Sequence, residues 1–470
     1  MEKRLPAEIK IVKNIIKFKQ GDLLKLRTTL LEDLSKEYFA ILLGKTEIID
    51  DITIIKIIEI KILQHPDYVN QNYAHLHLNK ECIAKIIVET QNRFDVDTII
   101  DVHTHPFAER SVAFSGIDDR DEKNFCIFLE EKFDNIFYAS IVLSQTEYSA
   151  RVWNSKNKKA RFENAVIKTQ TEPENIASSD LRKIRINHWR QENLLDNKNI
   201  FNRSTLALGI ENMRKIMNDQ VITIVGIGGL GSIIAEHLVH MGFHQINLID
   251  KDKIEFSSLN RIVGAYYEDA KNQTSKVDAI KRHLKNINPE AKVNSFENDI
   301  YDKEMEKIIV LSDWLIVATD NHSSRYKAQE LSIKYFVPII SVGVNITVFE
   351  EQIFDMSGEV ITSRVGDNLC LHCLKRINPI NVAHELSPSQ DMKEELVSRG
   401  YIKGADIKEP AVKTLNSILA TMTVDVLINQ YTQNQQHKSI LVYENNGSKC
   451  IYEDLESVKK RNLNCFTCNV

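Results

Sequence analysis

The first part of the chain combines one helical pattern with two long apolar runs. In "DLLKLRTTLLEDL", Leu23, Leu26, Leu30 and Leu34 recur at the spacing of one face of a helix. The apolar segments "YFAILLG" and "ITIIKIIEIKIL" follow, and their content of β-branched and aromatic residues is typical of strands. The pattern predicts a helix that leads into a sheet.

The pattern changes twice farther along the chain. Between about residues 152 and 200 the sequence is polar and charged, which predicts a linker or bridging helices. From "VITIV" at residue 221 onward, short apolar strands such as "INLID" and "WLIVATD" alternate with helical segments. This alternation indicates a parallel, doubly wound α/β sheet.

Length and net charge limit the possible domain organisation, partners and location of the chain. A chain of 470 residues exceeds one ordinary core, so we expect an N-terminal α/β domain over residues 1–155, a linker over 156–199 and a second α/β domain over 200–470. The net charge of -5 gives no general electrostatic case for nucleic acid or anionic membrane. No apolar run reaches the roughly 18 residues that span a bilayer, and no apolar signal core follows the N-terminus. We therefore expect a cytoplasmic protein.

A glycine-rich turn opens the second domain. The chain has 16 glycines, yet four lie within six residues of "VGIGGLGS", between a strand and a helical segment. Such glycines let backbone N–H groups and a helix N-terminus approach phosphate, and Asp250 ends the next strand, where a carboxylate can bind ribose. These residues alone also fit a nicotinamide dehydrogenase or a simple turn. The glycines are Gly226, Gly228, Gly229 and Gly231.

Charged motifs downstream favour nucleotidyl transfer. "LIDKDKIEFSSLNR", "SKVDAIK" and "ATDNHSSR" carry more charges than a dinucleotide site needs. A triphosphate requires cations, and its magnesium requires carboxylates. With these motifs in order, residues 200–470 resemble the ThiF/MoeB and ubiquitin-activating-enzyme family of adenylating enzymes. The resemblance implies a Rossmann-like domain that uses ATP and Mg²⁺.

The resemblance also implies roles for individual residues. Asp250 is the ribose ligand and Asp252 is its companion, Arg261 and Lys276 bind the ATP phosphates, and Asp320 holds magnesium.

The same resemblance implies a homodimer. Arg203 in "IFNRS" matches the arginine that family members insert into the active site of the partner subunit. Two positions depart from the family pattern: Ser258 replaces the usual Asn, and the interval from Arg261 to Lys276 is slightly longer than usual.

The seven cysteines, an odd number in a reducing compartment, argue against a disulfide framework. Two CxxC pairs supply four thiolates, the usual composition of a closed structural zinc site, with a redox pair or idle thiols as the alternatives. These are Cys370, Cys373, Cys465 and Cys468.

No cysteine lies in residues 374–449, the segment in which family members that accept the activated protein themselves usually carry their nucleophile. The resemblance therefore implies a reaction that ends at the acyl-adenylate. A separate conjugating-enzyme-like thiol or a sulfur donor takes the acyl group, unless Cys450 serves.

The stretch "IIDVHTHPFAERSVAFSGIDD" predicts a metal site. His103 and His105 project from one face of a strand, and Asp118 at a following helix start offers an oxygen, which leaves a fourth position for water. The stretch resembles the JAB/MPN family of metallo-isopeptidases with the JAMM signature. That resemblance implies a catalytic Zn²⁺, with Glu37 as general base and Ser115 as the group that polarises the tetrahedral intermediate.

The match covers about residues 20–150 and has one longer loop. Nine residues separate His105 from Ser115, where seven are commonest, and Asp119 is a neighbouring alternative to Asp118. An MPN-like fold without metal, or ordinary strand-end histidines, remains the alternative.

Together the two resemblances imply a bifunctional enzyme for a prokaryotic ubiquitin-like or sulfur-carrier protein with a C-terminal Gly. One domain activates its C-terminus with ATP, and the other hydrolyses peptide or isopeptide bonds there. Three alternatives stay open: sulfur-carrier activation for biosynthetic sulfur insertion, a dehydrogenase, and an activating enzyme whose MPN domain only binds the modifier.

Overall fold

Two units make up the chain in the computed structural model, Met1–Asn187 and His188–Val470. The structure describes residues 13–72, 76–108, 111–156, 159–170, 177–178, 194–217, 220–349, 352–387, 412–432, 439–446 and 448–468. Among these residues, no helix combines the length and apolar character that crossing a bilayer requires.

The first unit is built on a nine-stranded sheet with helices on both faces. Its helices are α1 (Asp22–Leu30), α2 (Lys80–Gln91) and α3 (Gly116–Lys132). Its strands are β1 (Asn14–Lys17), β2 (Phe39–Ile49), β3 (Ile52–Ile62), β4 (Tyr68–Gln71), β5 (Leu76–Leu78), β6 (Thr98–Thr104), β7 (Phe137–Leu143), β8 (Glu147–Lys156), β9 (Lys159–Asn164), β10 (Val166–Lys168) and β11 (Ala177–Ser178). The sheet order is β10-β1-β3-β2-β6-β7-β8-β11, with β9 paired to β8 and with β4 and β5 in a separate ribbon.

The predicted first helix and the two apolar strands are confirmed, with one correction. Leu23, Leu26 and Leu30 are buried on α1, but the helix ends at Leu30, before Leu34. The side chain of Asp33 accepts hydrogen bonds from the backbone N and the hydroxyl of Ser35, and this local turn competes with the helix.

Part of the segment expected to be a linker or bridging helices consists of strands. Strands β9, β10 and β11 lie within residues 156–199 and extend the sheet of the first unit. Five of the six residues of β9 are exposed, so its composition resembles that of a linker. Most of residues 171–193 lie outside the described ranges.

The second unit contains an eight-stranded sheet of mixed direction. Its strands are β12 (Val221–Val225), β13 (Gln245–Ile249), β14 (Lys292–Phe296), β15 (Trp314–Val317), β16 (Ile339–Phe349), β17 (Gln352–Ser363), β18 (Ile440–Asn446) and β19 (Ser448–Glu453). Its helices are α4 (Asn202–Leu208), α5 (Ile210–Ile216), α6 (Gly229–His240), α7 (Tyr267–Lys271), α8 (Lys276–Ile287), α9 (Lys303–Val310), α10 (His322–Tyr335), α11 (Pro379–Glu385), α12 (Lys413–Thr432) and α13 (Leu455–Lys459).

The predicted parallel strands make up five of the eight strands of this sheet. Strands β14, β13, β12, β15 and β16 run parallel in that order, and β17, β18 and β19 add an antiparallel half. In the parallel half, the chain runs from β12 through β13 to β14 on one side, and β15 and β16 then continue on the other side of β12, so the strand order reverses between β12 and β15. Ligands bind at such a reversal, at the carboxyl ends of the strands.

Candidate functional sites

The glycine-rich turn is a close contact between β12, α6 and the loop after β15. Gly226 has φ of +89°, and a Cβ there would lie 2.9 Å from the carbonyl oxygen of Ala318. A Cβ on Gly231 would lie 1.9 Å from the carbonyl oxygen of Gly226. Gly228 and Gly229 form the N-terminus of α6. Only glycine permits this backbone path, which brings the first turn of α6 against the end of β12.

Asp250, at the end of β13, is tied to the same turn. Its Oδ2 accepts a hydrogen bond of 2.7 Å from the backbone N of Ile227, and its Oδ1 accepts one of 2.8 Å from Asp252. Lys276, at the start of α8, lies 2.7 Å from Oδ2 of Asp252 and 3.8 Å from Oδ1 of Asp250. Burial raises the pKa of Asp250, which Lys276 partly counteracts. The structure therefore brings these two carboxylates and this lysine together.

Of the remaining residues predicted for the nucleotide site, Arg261 and Asp320 lie near this turn, and Arg203 lies on α4. Arg261 donates to the backbone oxygen of Ser257, and its aliphatic carbons lie 3.1 Å from the position of a Cβ on Gly229. Asp320 is exposed, two residues after Ala318, which contacts Gly226. Arg203 is exposed on α4.

Sequence reasoning missed a carboxylate beside Asp320. The carboxylate of Glu385, at the end of α11, accepts hydrogen bonds from the backbone N of His322 (3.1 Å) and of Ser323 (2.6 Å). It thereby caps the N-terminus of α10, which begins two residues after Asp320. No sequence signal marks this contact, because the two segments are more than 60 residues apart.

The two CxxC pairs meet in the structure, as their spacing predicts. The four sulfur atoms lie within 4.8 Å of one another, all four residues are buried, and the sulfurs of Cys370 and Cys465 are 3.8 Å apart. Zinc–sulfur bonds of about 2.3 Å in a tetrahedron separate the sulfurs by about 3.8 Å, so the cluster fits zinc. The hydrogen bond between Cys370 and Cys373 lowers the pKa of the Cys373 thiol and raises that of Cys370, so it favours a thiolate at one of the two.

Cys450 is exposed on β19, apart from this buried cluster. Cys126 is buried on α3 and Cys82 is half-buried on α2.

The histidines and Asp118 also meet, at the end of β6. Nε2 of His103 lies 3.5 Å from Oδ1 of Asp118, and Nε2 of His105 lies 3.8 Å from its Oδ2. These separations are too long for good hydrogen bonds but are close to the roughly 3.4 Å between ligands of one tetrahedral zinc. Nε2 of His103 is buried and has no hydrogen-bond partner among the described residues, so the donor set fits a metal.

The pKa shifts of His105 and Asp118 favour metal binding, whereas that of His103 opposes it. Burial, together with His103, lowers the pKa of His105 to about 4, which leaves that ring neutral. Burial opposes ionisation of Asp118, but its interactions with His103 and Ser115 hold its pKa below the usual value. Burial likewise opposes protonation of His103, but Asp118 and other nearby carboxylates raise its pKa, so a metal must displace a proton there.

Glu37 and Ser115 lie next to the cluster. Phe39 pairs with His103 in the antiparallel register of β2 and β6, and the backbone N of Thr104 donates to the Tyr38 oxygen. Extending this register by one more residue puts buried Glu37 across from His105. Ser115 is the N-cap of α3: its hydroxyl accepts from the backbone N of Asp118 (3.2 Å), while Asp118 accepts from the backbone N of Ser115 (2.6 Å). This capping box orients Asp118.

Asp119, the neighbouring alternative, faces elsewhere. Its carboxylate forms an ion pair of 2.6 Å with buried Arg151. Arg151 also forms an ion pair with Glu122. Glu122 in turn forms a cluster with Asp101 and His103, in which one ligand atom of each residue lies within 4.8 Å of the others. Sequence analysis missed Asp101 and Glu122, although both were visible as spacing: Asp101 is two residues before His103 on the strand, and Glu122 is four residues after Asp118 on the helix.

A family model identifies the second unit, and curated relatives match parts of the chain. A model of the ThiF family matches residues 201–467. The chain is 26% identical over 182 residues to the sulfur carrier protein ThiS adenylyltransferase of Bacillus subtilis, covering 37% of this chain and 49% of that protein. It is 25% identical over 167 residues to the SAMP-activating enzyme E1 of Haloferax volcanii, covering 36% and 57%. The chain thus spans about half the length of the curated relatives it matches.

Two further proteins are similar to parts of the chain. The tRNA threonylcarbamoyladenosine dehydratase of Bacillus subtilis is 30% identical over 142 residues, covering 30% of this chain and 55% of that protein. The crystal structure of E. coli MccB with ATP matches with a TM-score of 0.45 and 18% identity over 58% of this chain and 75% of that one.

Proposed function

The chain belongs to the ThiF family, and from that premise we propose that its second unit adenylates the C-terminal carboxylate of a ubiquitin-like or sulfur-carrier protein. A carboxylate oxygen attacks the α-phosphate of ATP, and pyrophosphate leaves. The observation that carries the proposal is the convergence of Asp250, Asp252, Lys276 and Arg261 on the glycine turn. Two relatives, a ThiS adenylyltransferase and a SAMP-activating enzyme, support this choice of substrate.

Each residue has a chemical task in this proposal. Asp250 and Asp252 bind the ribose, while Arg261 and Lys276 neutralise phosphate charge as pyrophosphate departs. Asp320 holds Mg²⁺, which when bound offsets the charge of the triphosphate. Because Lys276 pairs with both carboxylates, contacts of these groups with ribose and phosphate must compete with the ion pairs.

The acyl group then passes to a thiol outside the chain. Residues 374–449 contain no cysteine, which supports release at the acyl-adenylate, to a conjugating enzyme or a sulfur donor. Exposed Cys450 is the alternative acceptor within the chain. In a homodimer, exposed Arg203 would reach the site of the second copy.

ATP–pyrophosphate exchange tests the activation step. The purified chain should catalyse exchange only when a β-grasp carrier ending in Gly is present. Thiocarboxylate formation with an added sulfur donor would identify the carrier as a sulfur carrier. Binding of NAD without exchange would instead support a dehydrogenase and overturn the proposal.

For the first unit we propose a JAB/MPN-type zinc peptidase that cleaves peptide or isopeptide bonds at the same C-terminus. His103, His105 and Asp118 would hold the zinc, and their separations of 3.5 and 3.8 Å support this. A zinc ion at three protein ligands lowers the pKa of bound water and polarises a carbonyl. Glu37 takes the proton of the attacking water and delivers it to the leaving amine, and the Ser115 hydroxyl donates to the developing oxyanion.

Metal content separates this proposal from a scaffold that only binds the modifier. The full chain should hold about two zinc ions, one in the cysteine cluster and one at the histidines, and should cleave a carrier extended beyond its terminal Gly. One zinc ion per chain and no cleavage would support the scaffold.

A further inference from the structure

Two buried carboxylates lie close to His103 of the histidine cluster in the first unit. Asp101 is on the same face of β6 as His103, and Glu122 is one turn after Asp118 on α3. One nitrogen of His103 and one oxygen from each of the two carboxylates lie within 4.8 Å of one another. His103 therefore belongs to two clusters, one with His105 and Asp118 and one with this acidic pair.

Each of the two carboxylates is anchored through one oxygen only. Oδ2 of Asp101 accepts a hydrogen bond from the hydroxyl of Tyr138. Oε2 of Glu122 accepts from Nε of Arg151 (2.8 Å) and from Nε1 of Trp153 (2.7 Å). The other oxygens, Oδ1 and Oε1, are buried and have no hydrogen-bond partner within the described ranges. A buried acceptor left unpaired costs about 1–3 kcal/mol, so these two need a reason.

The charges distinguish the two carboxylates. Arg151 forms ion pairs with Glu122 and Asp119 and stacks 3.7 Å from the centroid of Phe114, so Glu122 has a fixed cation. Asp101 forms no ion pair with a lysine or arginine in the described part of the chain, where its hydrogen-bond donor is the hydroxyl of Tyr138. The basic group in its cluster is His103.

We propose that Asp101 is a positioning residue for the metal ligand His103. Nε2 of His103 lies 3.5 Å from Asp118, so coordination through Nε2 would leave Nδ1–H as the donor. Oδ1 of Asp101, which is buried without a partner among the described residues and shares a cluster with His103, is the acceptor that we assign to it. Glu122, held by Arg151 and Trp153, belongs to the same cluster. An outer carboxylate of this kind fixes the tautomer and ring orientation of a ligating histidine and raises its basicity. The inference rests on the proposed zinc at the histidine cluster.

The test compares Asp101→Ala and Asp101→Asn in the full chain by zinc competition with a chelator. Asp101→Ala should weaken zinc binding at the histidine cluster by about 10- to 100-fold. Asp101→Asn keeps the volume and a neutral acceptor, so it should fold where Ala does not and should show a smaller loss. The cysteine-cluster zinc, measured in the same titration, should keep its affinity. In ¹⁵N-histidine NMR of the zinc-loaded chain, the Nδ1–H signal of His103 should shift in both variants.

Asp97→Asn is the matched control. Asp97 immediately precedes β6, and its carboxylate accepts a 2.7 Å hydrogen bond from the backbone N of Thr46, away from the histidines. This change should lower the stability of the unit without moving the zinc affinity or the His103 signal. A merely structural role for Asp101 would give the same result.

Three outcomes would overturn the inference. Unchanged zinc affinity and an unchanged His103 signal in Asp101→Asn would remove Asp101 from this role. A third bound metal, lost on changing either Asp101 or Glu122, would make the acidic pair a second cation site. A wild-type chain that binds zinc only at the cysteines would refute the proposed peptidase, and the inference with it.

Discussion

The four-cysteine cluster and the histidine cluster differ in what surrounds their ligands. The cysteine cluster has four thiolates within 4.8 Å, enough to fill a tetrahedral shell without further help. The histidine cluster has three ligands, and polar groups adjoin it: Glu37, Ser115, Asp101 and Glu122. A closed site needs only its ligands, whereas an open site also needs side chains that orient ligands and move protons. The ligands of the closed site can therefore be found from their local spacing in the sequence. The supporting side chains of the open site come from several elements of the fold.

The largest effect should come from opening the closed site. Cys370→Ser removes one of four ligands and should release that zinc. Because a structural metal contributes directly to folding, the second unit should lose at least about 4 kcal/mol of stability in thermal or denaturant unfolding. Cys450→Ser is the control, since this cysteine is exposed, and should change stability by at most about 0.5 kcal/mol. Equal stability of the two variants would argue against a metal at the cysteines.

Glu37→Ala should disable the open site without emptying it. We expect zinc content to stay the same, because Glu37 is not one of the three ligands, and cleavage to fall by up to about 10⁴-fold, as for loss of a general base. Glu47→Gln, on the strand β2 that Glu37 precedes, is the control and should cleave normally, since Glu47 pairs with Lys56 away from the histidines. Normal cleavage by Glu37→Ala would remove Glu37 from its role.

Asp320→Ala should separate the two units functionally. ATP–pyrophosphate exchange should fall by about 1,000-fold, because a magnesium ligand is worth several kcal/mol of charge stabilisation. Cleavage by the first unit and the content of both zinc sites should be unaffected. Asp313→Asn, in the same unit but at the opposite end of β15, is the control. Persistent exchange in Asp320→Ala would contradict the magnesium assignment.

Ser115→Ala should have the smallest effect on cleavage, about 100-fold, from the loss of one donor to the oxyanion. It should also lower stability by about 1 kcal/mol, because Ser115 caps α3. Ser275 caps α8 with the same 3.2 Å bond to an aspartate N three residues on, so Ser275→Ala should cost similar stability. If Ser275→Ala impaired cleavage equally, the loss in Ser115→Ala would reflect general destabilisation.

The sequence predicted those parts of the fold and sites that depend on local spacing. The glycine turn, the position of Asp250 at a strand end, and the CxxC pairs are all short patterns, and the structure has them. The end of α1 at Leu30 was missed because the turn at Asp33 is decided by one side chain.

Other features depend on contacts between distant segments. The exposed strand β9 has the composition of a linker because it pairs on the sheet without being buried. The cap of α10 by Glu385 joins residues that are 62 and 63 positions apart in the sequence. Asp101 and Glu122 showed a usable spacing, but their meaning emerged only when Arg151 and Tyr138 were seen to engage one oxygen of each.

The separation of the two cysteine pairs also bears on synthesis of the chain. Cys370 and Cys465 are 95 residues apart, and α12, β18 and β19 lie between them. A metal held by both pairs closes this long segment into a loop, which favours the native arrangement by removing freedom from the unfolded chain. On the ribosome the metal can be fully enclosed only after Cys468 has emerged, so a nascent chain halted before that point should bind zinc weakly and remain sensitive to protease in this segment.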